Sequence, residues 1–279
     1  MTHTRVDYER YRVKPDQEVA LAEFRTSDDQ GIDKDAGKKH FHNNIRKLKG
    51  YQERLFAECR QSLLIVLQAM DTGGKDGIIN HVLAAMNPQG CRVAHFRRPS
   101  AEEASHDFLW RAHRVAPARS EVVIFNRSHY EDVLIVRVHG LVPREVWSER
   151  YQRINEFERT IADSGTEILK FYLHISSEEQ LSRFKGRLDD PTKHWKISEA
   201  DYAERKLWPQ YMTAYEEALS RCSTAHAPWF VIPSNHKWFR NLAVARIVVE
   251  HLEGLGLAYP KSTVDLARIR REYHAAAQK

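Results

Sequence analysis

A lysine set directly after two glycines, between an apolar run and an amphipathic one, has the makings of a phosphate site. Residues 63–83 read LLIVLQAMDTGGKDGIINHVL. Gly73, Gly74 and Gly77 let backbone N–H groups converge on phosphate oxygens. The N-terminus of the following helix adds the positive end of its dipole, and Lys75 adds a mobile cation. The spacing departs from the usual GxxxxGK[ST] loop. Ala69 stands at the first glycine position, and Asp76 stands where a Mg²⁺-binding Ser or Thr belongs. Asp71, a carboxylate inside the loop, is then the expected metal-binding residue. The plain alternative is a Gly-rich turn carrying a surface lysine, and the flanking strand and helix count against it.

Three further sets of residues could work with that loop. A Walker B site places an acid at the end of an apolar strand. Here the strand ending at Phe125 runs into Asn126 and Arg127. Asn126 can ligate a metal only through its carbonyl or through water, and Arg127 can grip phosphate bidentately. Glu131 and Asp132 follow in HYEDVL. They reach the metal region or serve as ordinary first-turn acids, and both readings stay open. Residues 183–197, RFKGRLDDPTKHWKI, carry Arg183, Lys185, Arg187, Lys193 and Lys196, broken by Gly186 and Asp190-Pro191. Such breaks predict a hinged lid closing over phosphates, against the alternative of a solvated basic loop. Arg97 and Arg98, after the second strand, fall on the same predicted rim. Arg111 and Arg114 either join them or face water.

These residues need a scaffold that brings strand ends together. Apolar runs at 63–69, 92–96, 121–125, 167–175 and 229–232 read as strands. Helical patterns at 42–61, 78–86, 144–163 and 238–252 lie between or beside them. Ser100 with Glu103, and Ser176 with Glu179, are spaced as helix caps, and Gly165 ends the helix before the fourth strand. The alternation predicts an α/β fold in three layers, α/β/α, around a parallel five-stranded sheet whose carboxyl ends form the ligand-binding rim. Residues 1–40, polar and aperiodic, read as an N-terminal arm. Residues 41–279 read as a single domain with a lid module at about 183–210.

Composition narrows the class. The 279 residues are 42% hydrophobic, with six Trp and eleven Phe, enough for an ordinary core. The start lacks the apolar stretch of a signal peptide, and no apolar run reaches the length of a membrane helix, so the expectation is a cytoplasmic protein without membrane contact. The three cysteines form no CxxC pair, and the fifteen histidines show no HExxH. The net charge of +5 suggests an anionic partner without naming one.

The segments QAMDTGGKDG, FRRPSAEEASHDFLWR, FNRSHYEDVLIVRVHG and RFKGRLDDPTKHWKIS, in this order over residues 40–255, resemble polyphosphate kinase family 2. The resemblance implies a P-loop kinase fold similar to thymidylate kinase. It also implies reversible Mg²⁺-dependent phosphoryl transfer, with Mn²⁺ as a substitute, between inorganic polyphosphate and nucleoside mono-, di- and triphosphates. Asp71 and Lys75 match the Walker A acid and lysine, Asn126 and Arg127 the Walker B pair, and Arg183 and Arg187 the lid. Asn126 replaces the Asp that the family often carries. HYEDVL with Asn126 looks like the subgroup accepting both mono- and diphosphates, and the family implies a homodimer or homotetramer. On this basis Asp71, Lys75, Asn126, Arg127, Arg183 and Arg187 are the expected catalytic residues. Gly73, Gly74, Asp76, Gly77, Arg97, Arg98, Lys193 and Lys196 join Lys75 around the phosphates. Arg127, Tyr130, Glu131 and Trp195 are expected at the nucleotide. An ATP-dependent nucleoside monophosphate kinase and a polyanion-binding protein are the competing readings. No RNP motif, zinc finger or helix-turn-helix points to specific nucleic acid.

Overall fold

A buried parallel strand reads as a continuous apolar run because both faces are covered, and the segment at 62–68 is such a run. The structure, a computed structural model, describes residues 7–278. Its strands are β1 (Ser62–Gln68), β2 (Cys91–His95), β3 (Val122–Asn126), β4 (Thr166–His174) and β5 (Trp229–Pro233). They form one all-parallel sheet in the order β2-β3-β1-β4-β5. Every strand lies within a residue of its predicted range.

The helices are α1 (Lys34–Glu58), α2 (Lys75–His81), α3 (Ala101–Ala104), α4 (Trp110–Val115), α5 (Ile135–Val138), α6 (Arg144–Asp163), α7 (Ser177–Leu188), α8 (Glu199–Lys206), α9 (Trp208–Cys222), α10 (Lys237–Gly254) and α11 (Leu266–Ala277). The core has two apolar layers, one on each face of the sheet. Leu63, Ile65 and Leu67 of β1 join the layer with α1, α2 and α10. Leu64 and Val66 join the layer with α6 and α9. The period-2 alternation of side chains divides one strand between two cores. All five residues are fully buried, each stabilising by about 1.5–3 kcal/mol. No helix among the described residues is long and apolar enough to cross a membrane.

Three expectations change. The first helix begins at Lys34 rather than near residue 42, because Asp33 caps it by accepting from the Asp35 and Ala36 amides. The arm is packed down. Val13 N–H donates to the Trp229 carbonyl, Arg12 bridges antiparallel to Phe230, and Tyr8, Tyr11, Val13, Val19 and Leu21 are buried. This strap covers the β5 edge, and its apolar residues are aperiodic because the strap is neither helix nor strand. Residues 1–6 of the expected arm lie outside the described residues. Finally, Gly186 sits inside α7 and breaks nothing, whereas Pro191 opens a 3₁₀ turn over Pro191–Lys196.

Candidate active site

The loop between β1 and α2 folds as a phosphate cradle for local reasons. Thr72 and Gly74 have positive φ, 63° and 111°, which turns successive backbone N–H groups to one side. A Cβ on Gly74 would lie 1.8 Å from an Arg240 guanidinium nitrogen, so a side chain there would displace the arginine as well as strain a backbone that glycine favours. Gly74 then caps α2, whose first residue is Lys75. The lysine Nζ donates to the Ala69 carbonyl at 3.0 Å, curling back over the loop. Burial, and then the Arg127 charge, push its pKa down to about 8.

The loop opens into a cleft of about 980 Å³ at the carboxyl ends of the strands. Ten Lys and Arg residues line it against the three acids Asp71, Asp76 and Glu179, an excess larger than the net charge of the whole chain. The expected Lys75, Arg97, Arg98, Arg127, Arg183, Arg187, Lys193 and Lys196 are all there, with Asp71, Asp76, Gly74, Gly77 and Asn126.

Each group has a definite setting. Arg127, in the left-handed region at φ 59°, donates to Asp71 at 2.9 Å and lies 3.7 Å from Glu131. The Glu131 charge first, and Asp71 after it, hold its pKa above the ordinary arginine value. Asn126 donates its amide to Asp76 at 3.1 Å, which leaves its carbonyl oxygen as the free ligating atom. Arg183 is not a mobile lid residue. It donates to the Thr72 carbonyl at 2.7 Å, to Glu179 at 2.7 Å and to the Ser234 and Asn235 carbonyls. Gln180 of the same helix donates to the Asp71 carbonyl at 3.1 Å. The base of α7 is thus latched to the phosphate loop, because a helix leaving β4 passes directly over it. The freer part of the expected lid is 190–197, where Lys193 pairs with Asp190 at 2.7 Å. Arg187 tethers the segment through the Lys196 carbonyl.

Four expected residues, Tyr130, Glu131, Trp195 and Gly73, stand apart from the cleft lining. Tyr130 is fully buried, its hydroxyl donating to Glu158 at 2.9 Å. Its aromatic ring belongs to the core, so no nucleotide reaches it. Glu131 faces Arg127 from behind, and burial raises its pKa. Trp195 is 79% exposed beneath the Lys196 ammonium, outside the cleft. Gly73 shapes the loop from within, since a Cβ there would meet the Ala69 Cβ at 2.5 Å. The neighbouring His129 is also fully buried, on Glu158 at 3.3 Å.

Sequence reasoning missed the contribution after β5. Lys237, Trp238, Arg240 and Asn241 open α10 and line the cleft. Arg240 is 3% exposed, donates only to Asn241, and among the described residues no carboxylate pairs with it. Burial, and then Arg183, push its pKa down to about 10. The sequence signal was available: HKWFR follows the fifth strand, and every segment after a parallel strand lands on the same rim. The aromatic surface in the cleft comes from Phe96 and Trp238.

The donors for a metal are the Asp71 and Asp76 carboxylates and the Asn126 carbonyl, all oxygen and all facing the cleft. Among the described residues no cluster of three His, Cys, Asp or Glu forms a cage. That set fits a hard cation shared with substrate phosphates and does not fit a dedicated structural metal.

Comparison with known proteins agrees with this geometry. The model of a family described as polyphosphate kinase 2 matches residues 31–257. The AMP/ADP-polyphosphate phosphotransferase of Meiothermus ruber is 50% identical over 254 residues, covering 90% of this chain and 95% of that protein. The ADP-polyphosphate phosphotransferase of Rhodopseudomonas palustris is 41% identical over 275 residues, covering 93% and 94%. The crystal structure of polyphosphate kinase 2 from Arthrobacter aurescens superposes with a TM-score of 0.92 at 44% identity over 96% of both chains. With the phosphate loop, the strand order and the cationic cleft in place, these matches establish that the chain belongs to the polyphosphate kinase 2 family.

Proposed function

We propose that this protein transfers phosphoryl groups between inorganic polyphosphate and nucleoside mono- and diphosphates such as AMP and ADP. The observation that carries the reading is the cleft itself: ten cationic side chains against three acids around a phosphate loop. A single nucleotide phosphate group does not need that many cations, whereas a polyphosphate chain beside a nucleotide does. The relatives named as AMP/ADP- and ADP-polyphosphate phosphotransferases support the same substrates.

In the proposed mechanism the terminal phosphate of the polyphosphate lies against the loop amides and Lys75. Arg127, fixed by Asp71 and Glu131, aligns the nucleotide phosphate opposite. A phosphate oxygen attacks the phosphorus in line, the phosphoanhydride bond to the shortened chain breaks, and that chain leaves with the bond electrons. The attacking oxygen carries no proton that must be removed, so no general base is required and catalysis is alignment plus charge neutralisation. Asp71, Asp76 and the Asn126 carbonyl would hold Mg²⁺ or Mn²⁺, which when bound supplies further charge neutralisation to the phosphate oxygens. Arg183 holds the loop, while Arg187, Lys193, Lys196, Lys237 and Arg240 bind chain phosphates.

The test is a metal-dependent assay of AMP, ADP, GMP and GDP with polyphosphate, and separately with ATP, as sole donor. Formation of diphosphate and triphosphate from polyphosphate is expected. Activity with ATP alone would make the protein an ordinary nucleoside monophosphate kinase and overturn the reading.

A further inference from the structure

Two adjacent acids follow Arg127 on one short turn, and they point to different arginines. The turn, His129–Asp132, is a 3₁₀ helix capped by Ser128. Its first two side chains, His129 and Tyr130, are rooted in the core on Glu158. Glu131 backs Arg127. Asp132 turns the other way, toward α4 and α6, where its carboxylate accepts from Arg111 of α4 at 3.3 Å and from Arg150 of α6 at 3.0 Å. The Arg111 side chain is 9% exposed. Its other terminal nitrogen donates to the backbone carbonyl of Arg97 at 2.9 Å, and its guanidinium lies 5.2 Å from the Phe96 ring centroid.

Arg97 needs such a tie. It follows β2, a five-residue strand at the edge of the sheet. The Phe96 amide still joins the ladder through the Asn126 carbonyl, but among the described residues no backbone–backbone hydrogen bond holds Arg97 or Arg98. The guanidinium is a planar fork that can bridge a carboxylate and a carbonyl at once, and a lysine ammonium cannot reproduce that geometry. We propose that Asp132, acting through Arg111, is a positioning residue that fixes Arg97 in the cleft. The turn after β3 then sets two arginines of the cleft relative to one another, Arg127 through Glu131 and Arg97 through Arg111. Arg111 touches no substrate and acts only through the Arg97 backbone. The inference rests on the proposed function, in that Arg97 is taken to meet a substrate phosphate.

The experiment compares Arg97→Ala, Arg111→Lys, Asp132→Asn and the double variant R97A/R111K with the native protein. KM for polyphosphate, KM for nucleotide, kcat and the melting temperature are measured for each. Arg111→Lys keeps the charge beside Asp132, so the fold is retained while the bridge to Arg97 is lost. Arg97→Ala is expected to raise one KM about tenfold, the cost of losing one charge-assisted phosphate contact. Arg111→Lys and Asp132→Asn should raise that same KM several-fold and leave the other KM unchanged. The double variant should be no worse than Arg97→Ala. Arg114→Ala, an exposed residue of the same helix paired with Glu102, should change nothing. The inference is overturned if Arg111→Lys moves neither KM, if the double variant is additive, or if kcat and melting temperature fall together with both KM values unchanged. Exchange of the Phe96 amide, which the Asn126 carbonyl holds next to Arg97, must also quicken in Arg111→Lys, and unchanged exchange overturns the inference whatever the substrate. A native protein inactive with polyphosphate overturns the proposed function instead, and the exchange measurement still decides the pair.

Discussion

Two groups of charges lie on either side of the same short turn and are treated in opposite ways. Below it, Lys170 and Glu158 meet at 2.5 Å with both side chains fully buried. Lys170 also donates to the Tyr130 hydroxyl at 2.8 Å and to the Cys222 carbonyl at 2.6 Å. Burial pushes the Glu158 carboxyl up, and Lys170 with His129 outweighs that and leaves it below the usual carboxylate range. Above the turn, Lys75, Arg97, Arg98, Arg187, Lys196, Lys237 and Arg240 line the cleft with no ion-pair partner among the described residues. A buried charge with its donors and acceptors complete has no business left with a ligand. A buried charge without a counter-ion carries a cost in the free protein that an anion removes, and Arg240 is the plainest case. The difference separates charges that hold the fold from charges left without a partner at the cleft.

The comparison can be broken from either side. Lys170→Met leaves Glu158 buried without its cation and should cost about 3–5 kcal/mol of stability, read from denaturant unfolding. If the loss is under about 1 kcal/mol, the core pair is not doing structural work. Lys75→Ala should cut kcat/KM about 10²–10³-fold with the melting temperature little changed, because it removes transition-state charge neutralisation. A variant with near-native turnover would take Lys75 out of the chemistry. Arg240→Met should raise KM for polyphosphate about tenfold and leave the free protein as stable or more stable. Thermal melts with and without polyphosphate read both effects, and a destabilised Arg240→Met would place Arg240 with the core charges.

The smallest effect is in pH. Lys75 titrates near 8 in the free protein, below its ordinary value. The unfolded chain therefore binds more protons than the folded one between about 8 and 10.5, and this residue's contribution to stability rises with pH across that window. Phosphate binding needs the charged form. The profile of kcat/KM for polyphosphate should therefore fall as pH passes about 8, while kcat, read in the bound complex, holds to higher pH.

The phosphate loop, the five strands and the Asn126-Arg127 pair were legible because each is a local pattern. An apolar run, a glycine pair and a strand end keep their meaning whatever the rest of the chain does. Arg240 and Lys237 were not read as site residues because helix periodicity says where a helix is and not which ligand its first turn meets. Gly186 misled, since one glycine in a helix costs only about 1 kcal/mol and helix packing absorbs it. Tyr130 misled because the HYED turn alternates sides within four residues, faster than any sequence period reports.

What the sequence determined alone was the order of elements and the type of chemistry: strands alternating with helices, a glycine-lysine loop, and basic residues after strands. These follow from side-chain period, backbone freedom and charge, which are properties of short segments. Which charges find partners was decided only in three dimensions. Glu158 and Lys170 lie 12 residues apart on different elements, and Arg111 reaches Arg97 and Asp132 across 14 and 21 residues. Pairing depends on distance through the folded core, and distance between elements is set by packing, to which a single sequence pattern is blind.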